Sequence, residues 1–196
     1  MQHFPPFSHL LGRTDVITMK PENAKALVKR AQSGDADAFG ELYAALRQDL
    51  FRYAYYFTSS PHLAEDAVSD CVLLAFQNIK QLKKPQSVHP WFCAILRNCC
   101  REKQAEKAQM QQTVDIDLLS LALPQDCDLE SHAALHTALQ KLPQDERELL
   151  LLSVLFGYSS RELAAMFGTK DGTIRARLSR TKAKLRDLLN EGDDEA

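Results

Sequence analysis

The sequence contains none of the short motifs that mark the commoner catalytic sites. Strings of the types GxxxxGK[S/T], GxGxxG, HExxH and GxSxG are absent, so nucleotide hydrolysis and the usual hydrolase reactions lack their signatures. No stretch approaches the roughly 20 consecutive apolar residues that a membrane-spanning helix needs. We therefore expect no enzyme activity, no catalytic residues and no insertion into a membrane.

Cysteine is present in a number and spacing that exclude a closed disulfide framework. The five cysteines form no CxxC pair, and their number is odd. Reduced thiols indicate a cytoplasmic protein, and the N-terminal residues lack the charged start and apolar run of a signal peptide. Cys99 and Cys100 should face different sides of one helix, one in the core and the other partly exposed.

No alternating apolar pattern is long enough to predict a β-sheet, whereas helical spacing recurs along most of the chain. Apolar residues repeat every three or four positions from Pro21, stop at Gly34 and resume after Asp35, which can cap the next helix. A third helix follows the break at Ser60 and Pro61. Its predicted apolar stripe comprises Leu63, Ala67, Val68, Cys71, Val72, Ala75 and Phe76. The pattern predicts an all-α protein.

Composition divides the helical pattern into two small domains, each long enough for a modest core. An acidic segment without basic residues, 109–131, separates them and is interpreted as a flexible linker. The predicted layout is a flexible leader at 1–20, a helical domain at 21–108, the linker, a second helical domain at 132–190 and an acidic tail at 191–196. In the first domain, a fourth helix should start at about Trp91.

The second domain ends in a pattern typical of a helix-turn-helix. Ser159 or Ser160 can cap one helix, Gly168 can adopt the positive φ that ends it, and Thr169 can open the next helix. A short junction with glycine sets two helices at a steep angle, as in DNA-binding proteins whose second helix enters the major groove. Ile174, Leu178, Leu185 and Leu189 should pack against Leu163, Ala164 and Phe167 of the first helix.

Charge on the second helix supports DNA binding, although the whole chain carries a formal charge of -2. Residues 169–186 contain seven basic side chains and one acidic side chain, Asp171. The basic residues are Lys170, Arg175, Arg177, Arg180, Lys182, Lys184 and Arg186. They can bind phosphates, and arginines near the start of the helix can pair with guanine edges. A merely solvated basic face is the alternative.

Three features of the first domain are candidate contact sites. Glu65, Asp66 and Asp70 can form an acidic patch that attracts a basic partner, or can serve only to cap the first turn of their helix and keep it soluble. Trp91 can stack on an unpaired base, but a core or boundary anchor is the favoured interpretation. A loop rich in lysine (Lys80, Lys83 and Lys84) can attract a phosphate backbone or be simply solvated.

Two stretches resemble a known family. LAEDAVSDCVLLAF (63–76) and PWFCAILRNCCREK (90–103) resemble region 2 of extracytoplasmic-function (ECF) sigma factors of bacterial RNA polymerase, in the sigma-70 family. The segment 142–189, from LPQDERELL to RTKAKLRDLL, resembles region 4 of the same family. The order and spacing of the two stretches also agree with that family.

The resemblance implies a sigma factor that binds core RNA polymerase and directs promoter-specific initiation. By this resemblance, the acidic patch binds polymerase, and the basic loop, Trp91, Arg97 and Asn98 bind the melted minus-ten element. The second helix of the helix-turn-helix binds the minus-thirty-five element through Lys170, Thr173, Arg175 and Arg177. The basic residues Arg180 and Lys182 extend this surface. Promoter DNA and core polymerase are the expected partners, and an anti-sigma factor is a further candidate.

Two other interpretations of function stay open at this point. The chain could be an autonomous two-domain helix-turn-helix regulator, or an interaction adaptor that has lost strand opening. A metal site is not favoured, because Cys127, Asp128, His132 and His136 do not form a ligand set of familiar spacing. No cofactor is expected.

Overall fold

The structure, a computed structural model, describes residues 21–109 and 129–193. These residues fall into two compact units, which correspond to the two ranges. The described part of the chain contains α-helices and two short 3-10 turns, and no β-strand is present within it. The predicted all-α class with two helical domains is confirmed. The predicted leader, most of the linker and the end of the acidic tail lie outside the described residues.

The first unit is a bundle of four helices. They are α1 (Pro21–Gln32), α2 (Ala36–Thr58), α3 (Pro61–Asn78) and α4 (Val88–Gln109). As predicted, Asp35 caps α2: its side chain accepts a hydrogen bond of 3.0 Å from the amide of Ala38. Gly34 makes the tight turn before this cap with a φ of 99°, a conformation that costs glycine little.

The helix α3 begins too early for Glu65 and Asp66 to lie in its first turn. Ser60 caps it and Pro61 occupies its first position, where the missing amide proton of proline has no intrahelical partner to lose. Glu65 and Asp66 therefore lie beyond the first turn, which contains no acidic residue. The prediction that they complement the positive end of the helix is wrong, because that effect fades after one turn.

Two 3-10 turns, Ile79–Gln81 and Pro85–Ser87, connect α3 to α4. The helix α4 starts at Val88 rather than at Trp91. Pro90 falls within the first turn of α4, where an amide donor is not needed. For this reason Pro90 is compatible with a helix that starts before it.

The core of the first unit is formed by side chains from all four helices. Those with 0% exposure include Val28, Leu42, Leu50, Phe92 and Leu96. Of the stripe predicted for α3, Ala67, Val68, Cys71 and Ala75 are buried, whereas Leu63 and Val72 are half-buried and Phe76 is 51% exposed. The buried arc of α3 is narrower than the predicted stripe, because the residues at both of its edges are at least partly exposed.

Both Cys99 and Cys100 are buried, so the prediction that one of them is partly exposed is wrong. The helix α4 packs against both α2 and α3, and its buried arc is wide enough to include two consecutive positions. Burial raises the pKa of the Cys99 thiol to about 11. Both side chains therefore behave as small core residues rather than as reactive thiols.

The second unit contains α5 (Leu129–Gln140), α6 (Gln144–Val154), α7 (Ser160–Met166) and α8 (Asp171–Asp193). The helix α5 begins within the segment interpreted as linker. The long helix α8 contacts each of the other three. The core of the second unit is rich in leucine, with at most 1% exposure for Leu135, Leu139, Leu149 and Leu150. No helix in 21–109 or 129–193 combines the length and apolar character that crossing a membrane would require.

Candidate nucleic-acid interface

The short helix α7 starts with a reciprocal cap. The amide of Glu162 donates to the hydroxyl oxygen of Ser159 at 3.3 Å, and the amide of Ser159 donates to the Glu162 carboxylate at 2.9 Å. The Ser159 hydroxyl also donates to this carboxylate at 2.6 Å. These bonds lower the pKa of Glu162, with the hydroxyl as the main cause. Ser159, one of the two predicted caps, fixes the first residue of α7.

The turn between α7 and α8 is closed by backbone groups. Gly168 has a φ of 62°, as predicted, and the amide of Thr169 donates to the carbonyl of Ala164 at 2.9 Å. This is the pattern of a helix that ends in a left-handed residue. Thr169 therefore closes α7 and does not open α8, which begins at Asp171. The predicted helix-turn-helix is present.

One face of α8 is buried against the unit, as the sequence predicted. Ile174 and Leu185 are fully buried, and Leu178 and Leu189 are at most 9% exposed. Thr181 lies on the same face and is 2% exposed. Because this arc fixes the rotation of α8, it also determines which residues face away from the unit.

The outward face of α8 is a ridge of small residues between two rows of basic ones. Gly172, Ala176, Ser179 and Ala183 follow each other at three- and four-residue intervals and are all exposed. One basic row comprises Arg175, Lys182 and Arg186, and the other comprises Arg177, Arg180 and Lys184. Helical geometry places the two rows on opposite shoulders of the ridge.

The ridge was missed from sequence, although the interval of its small residues is a signal that was available. Of the predicted contact residues, Lys170, Thr173, Arg175 and Arg180 are exposed, and Arg177 and Lys182 are half-buried. A narrow ridge lets a helix approach a groove closely while the shoulders reach the phosphates on either side. The six residues thus lie on one continuous surface.

Acidic neighbours hold three of the basic side chains of α8. Arg177 forms an ion pair with Asp145 of α6, and Lys184 lies 3.9 Å from Glu146. Arg175 pairs at 3.1 Å with Asp171, one turn earlier. Arg180 instead donates to the carbonyl of Ala176 on its own helix at 3.4 Å.

In the first unit, the three predicted acidic residues lie on α3 but are not equivalent. Glu65 and Asp66 are exposed, whereas Asp70 pairs with Lys103 of α4 at 2.9 Å. The hydrogen bond to Asp70 raises the pKa of Lys103. Asp70 therefore presents a partly neutralised charge, whereas the carboxylates of Glu65 and Asp66 are exposed.

An apolar patch follows the acidic residues along α3. Leu73, Leu74 and Phe76 are 56%, 40% and 51% exposed. One edge of the Phe76 ring meets Phe39 of α2, with ring centroids 5.1 Å apart. The helical period predicts Phe76 in the core and makes no assignment for Leu73 or Leu74. Two leucines outside the buried stripe were the available signal for an exposed apolar surface.

The predicted minus-ten residues occupy the loop between α3 and α4 and one face of α4. Lys80, Lys83 and Lys84 are exposed. Trp91 and Asn98 lie two turns apart on one face of α4, and Arg97 lies to the side of it. Trp91 is half-buried, and its ring lies edge-to-face with that of Phe92, with centroids 5.5 Å apart, a position compatible with the core or boundary anchor favoured from sequence.

The residues considered as metal ligands form no cluster in the part of the chain that the structure describes. His136 is half-buried and lies 3.0 Å from the side-chain amide of Gln140. Burial lowers the pKa of His136 to about 4. Cys127, Asp128 and the side chain of His132 lie outside what the structure describes. Within the described ranges, no group of three His, Cys, Asp or Glu side chains is arranged to hold a metal ion.

Two family profiles match the chain. Sigma-70 region 2 matches residues 42–108, and sigma-70 region 4 matches residues 132–185. The chain is 33% identical over 129 residues to the ECF RNA polymerase sigma factor EcfG of Rhodopseudomonas palustris, a match that covers 64% of this chain and 71% of EcfG. It is 27% identical to the ECF sigma factor SigM of Mycobacterium tuberculosis over 85% of this chain and 84% of SigM.

A solved structure has a similar fold. It is the sigma factor RpoE of Bartonella quintana in complex with the anti-sigma factor NepR, with a TM-score of 0.63 and 27% identity. The match covers 78% of this chain and 96% of the matched chain.

The all-helical fold and the helix-turn-helix surface, together with these matches, define the class: the chain belongs to the sigma-70 family. Within that family it is an ECF RNA polymerase sigma factor, which binds core polymerase and directs promoter-specific initiation. The interpretation as an autonomous regulator is not favoured, because the profiles match both regions in the order found in sigma factors.

Proposed function

We propose that this sigma factor reads the minus-thirty-five element with the outward face of α8. The small-residue ridge between two basic rows is the observation that supports this assignment most directly. The proposed contacts are Lys170, Thr173, Arg175, Arg177, Arg180 and Lys182. A helix of this shape enters the major groove with its narrow edge toward the bases and its cations toward the phosphates.

The ion pairs of α8 are compatible with DNA binding. Arg175 pairs with Asp171 at the protein surface, where its side chain is 69% exposed. Surface pairs of this kind stabilise a protein by about 0–1 kcal/mol. A phosphate can therefore replace the carboxylate at little cost, and the same exchange is proposed for Arg177 and Asp145.

The first unit is proposed to hold polymerase and the melted minus-ten strand. Glu65, Asp66 and Asp70 would face basic groups of polymerase. Lys80, Lys83 and Lys84 would bind the backbone of the strand, and Trp91, Arg97 and Asn98 would lie beside its bases. This division leaves the catalytic work to polymerase, so the proposal includes no enzyme activity and a cytoplasmic location.

An anti-sigma factor is proposed as a further partner. The matched structure of RpoE is a complex with the anti-sigma factor NepR. The exposed patch of Leu73, Leu74 and Phe76 is a surface of this chain that a protein partner would cover.

The double variant Arg175→Ala/Arg177→Ala tests the assignment of α8. We expect weaker promoter binding by the holoenzyme, and a slope of log K against log salt that is smaller by about 1 for each phosphate interaction removed. Binding to core polymerase should not change. Lys25→Ala/Lys29→Ala, which removes the same charge from exposed positions of α1, is the matched control. Equal loss of polymerase binding, or an equal effect of the control, would exclude this division of labour.

A further inference from the structure

The side chain of Gln32, the last residue of α1, is bonded to the loop between α3 and α4. Its amide nitrogen donates to the carbonyl of Ile79 at 3.0 Å and to the carbonyl of Leu82 at 2.9 Å. The two acceptors are 47 and 50 residues away in sequence. One glutamine thus ties the start of this loop to the first helix of the bundle.

The same loop, residues 79–87, carries the three lysines proposed to bind the minus-ten strand. It is anchored by Ile79 and Leu82, which are 3% and 7% exposed, while Lys80, Lys83 and Lys84 point to solvent. The helix α1 contacts both 3-10 turns of the loop. The amide of Leu82 also donates to the carbonyl of Ile79 at 3.2 Å, so the Gln32 bonds hold both ends of a compact turn that contains Lys80.

The physical effect of these bonds is to fix the loop backbone before DNA arrives. A flexible lysine loses side-chain entropy when it binds a phosphate, and a mobile backbone would add to that loss. A backbone that is already ordered removes this second contribution. Three lysines on an ordered turn can meet successive phosphates, whereas three lysines on a loose loop bind with a larger entropic penalty.

We propose that Gln32 is a positioning residue for the minus-ten strand: its side-chain amide holds the 79–87 turn to α1 and so presents Lys80, Lys83 and Lys84 to the phosphates. This inference rests on the proposed role of the lysines in strand binding. Gln32 itself does not contact DNA in this account. It extends the strand-binding apparatus to α1, which lies outside the segment matched to region 2.

The test uses Gln32→Met, which keeps the length of the side chain and removes its donors. The probe is the single-stranded non-template strand of a promoter first mapped by run-off transcription, and it is titrated with reconstituted holoenzyme. We expect binding weaker by about fivefold, because both hydrogen bonds to the turn are lost but only their effect on the order of the lysines is felt in strand binding. The salt slope should fall, because single-strand contacts contribute about 0.7 each.

The neighbouring Ser33→Ala is the matched control. Its hydroxyl donates to the carbonyl of Lys29 within α1 at 3.0 Å and makes no tie to the loop. We expect strand binding unchanged in this variant. If Gln32→Met does not fold, Gln32→His is the second variant, because neutral histidine offers a single ring N–H donor and should give an intermediate loss.

A double-mutant cycle separates positioning from a general effect on folding. Lys80→Ala/Lys83→Ala/Lys84→Ala should weaken strand binding, and adding Gln32→Met to it should cause no further loss, since Gln32 acts through the lysines. An equal loss in the lysine-free background, or no loss in Gln32→Met alone, would overturn the inference and leave the role of the lysines intact. No effect of the triple lysine variant would remove the proposed role of the loop and the inference with it.

Discussion

Short polar side chains fix the starts of several helices in this protein. Asp35 accepts from the amide of Ala38 at the start of α2, and this bond is the main cause of its lowered pKa. Ser159 and Glu162 satisfy each other's amides at the start of α7. Each of these side chains accepts a hydrogen bond from an amide at a helix start that has no partner within the helix. Its effect on stability is therefore local and can be measured separately.

Glu162 gives the protein a defined dependence on pH. Its pKa in the folded state lies below its ordinary value of 4.5 because it accepts hydrogen bonds from Ser159. Its stabilising effect is therefore complete above about pH 4.5 and is lost as pH falls through the lowered pKa. Glutamine can accept the same bonds but lacks the charge that favours the positive helix end, so we expect Glu162→Gln to lower the free energy of unfolding at pH 7 by about 0.3–1 kcal/mol. Urea unfolding over a pH series measures this difference, which should shrink in acid.

Glu102→Gln is a suitable control for this measurement, because Glu102 is an exposed glutamate in the interior of α4. Its effect on unfolding should be small at every pH. If the difference for Glu162→Gln stayed constant from neutral pH into strong acid, the capping bonds would not be the source of its stabilisation.

Side chains that act locally were predictable, and those that act across the fold were not. The caps Asp35 and Ser159 follow from residue type and position in the chain. The pairs Asp70–Lys103 and Arg177–Asp145 join residues that are 33 and 32 positions apart, and the bonds from Gln32 span still more. Such partners depend on how helices pack, which short-range periodicity does not specify.

Two glycines of the helix-turn-helix have different roles. Gly168 has a positive φ at the end of α7, whereas Gly172 lies in the first turn of α8 and has no such φ. We expect Gly168→Ala to lower the free energy of unfolding by about 1 kcal/mol, since alanine is strained in the left-handed region. Thermal unfolding of the full chain measures this change.

Gly172→Ala is the matched substitution within the same motif. A Cβ at either glycine meets no atom within 4 Å, so crowding does not separate the two variants. Alanine at position 172 should stabilise α8 by about 0.5–1 kcal/mol, because glycine is a poor helix former. Equal destabilisation by both substitutions would mean that the left-handed turn is not what requires glycine.

Helix existence was well predicted at this scale, and helix rotation less well. The period of apolar residues located α1 and the helix-turn-helix, and the break before Pro61 was correct. The predicted start of α4 was wrong, because Pro90 is tolerated in the first turn of a helix. The exposed face of α3 was not predicted, because the width of the buried arc depends on how many helices surround it. Phe76 is the clearest case: apolar, in phase with the stripe, and half exposed.

At the scale of the whole molecule, acidic and basic side chains are concentrated on different helices. Residues 169–186 hold seven basic side chains, while α3 exposes Glu65 and Asp66, and the formal charge of the chain is only -2. A sum over the chain hides this separation, whereas the positions of the charges along the sequence reveal it. Such a separation suits the contacts proposed above, of the basic helix with DNA and of the acidic face with basic groups of polymerase.

The two-unit, all-helical organisation followed from composition, since the acidic stretch between the units lacks the apolar period of either. The detailed surface of each unit did not follow from composition. Neither the ridge of α8 nor the tie from Gln32 to the basic loop could be inferred from charge alone, because both depend on the rotation of a helix about its axis. The arrangement of the contact residues is thus a property of packing rather than of composition.

Run-off transcription with purified core polymerase, promoter fragments and this protein tests the account most directly. The account predicts transcripts with discrete start points that require the protein and that decrease with Arg175→Ala/Arg177→Ala. Absence of protein-dependent transcripts, together with failure of the protein to co-purify with core polymerase, would contradict the assignment as an initiation factor.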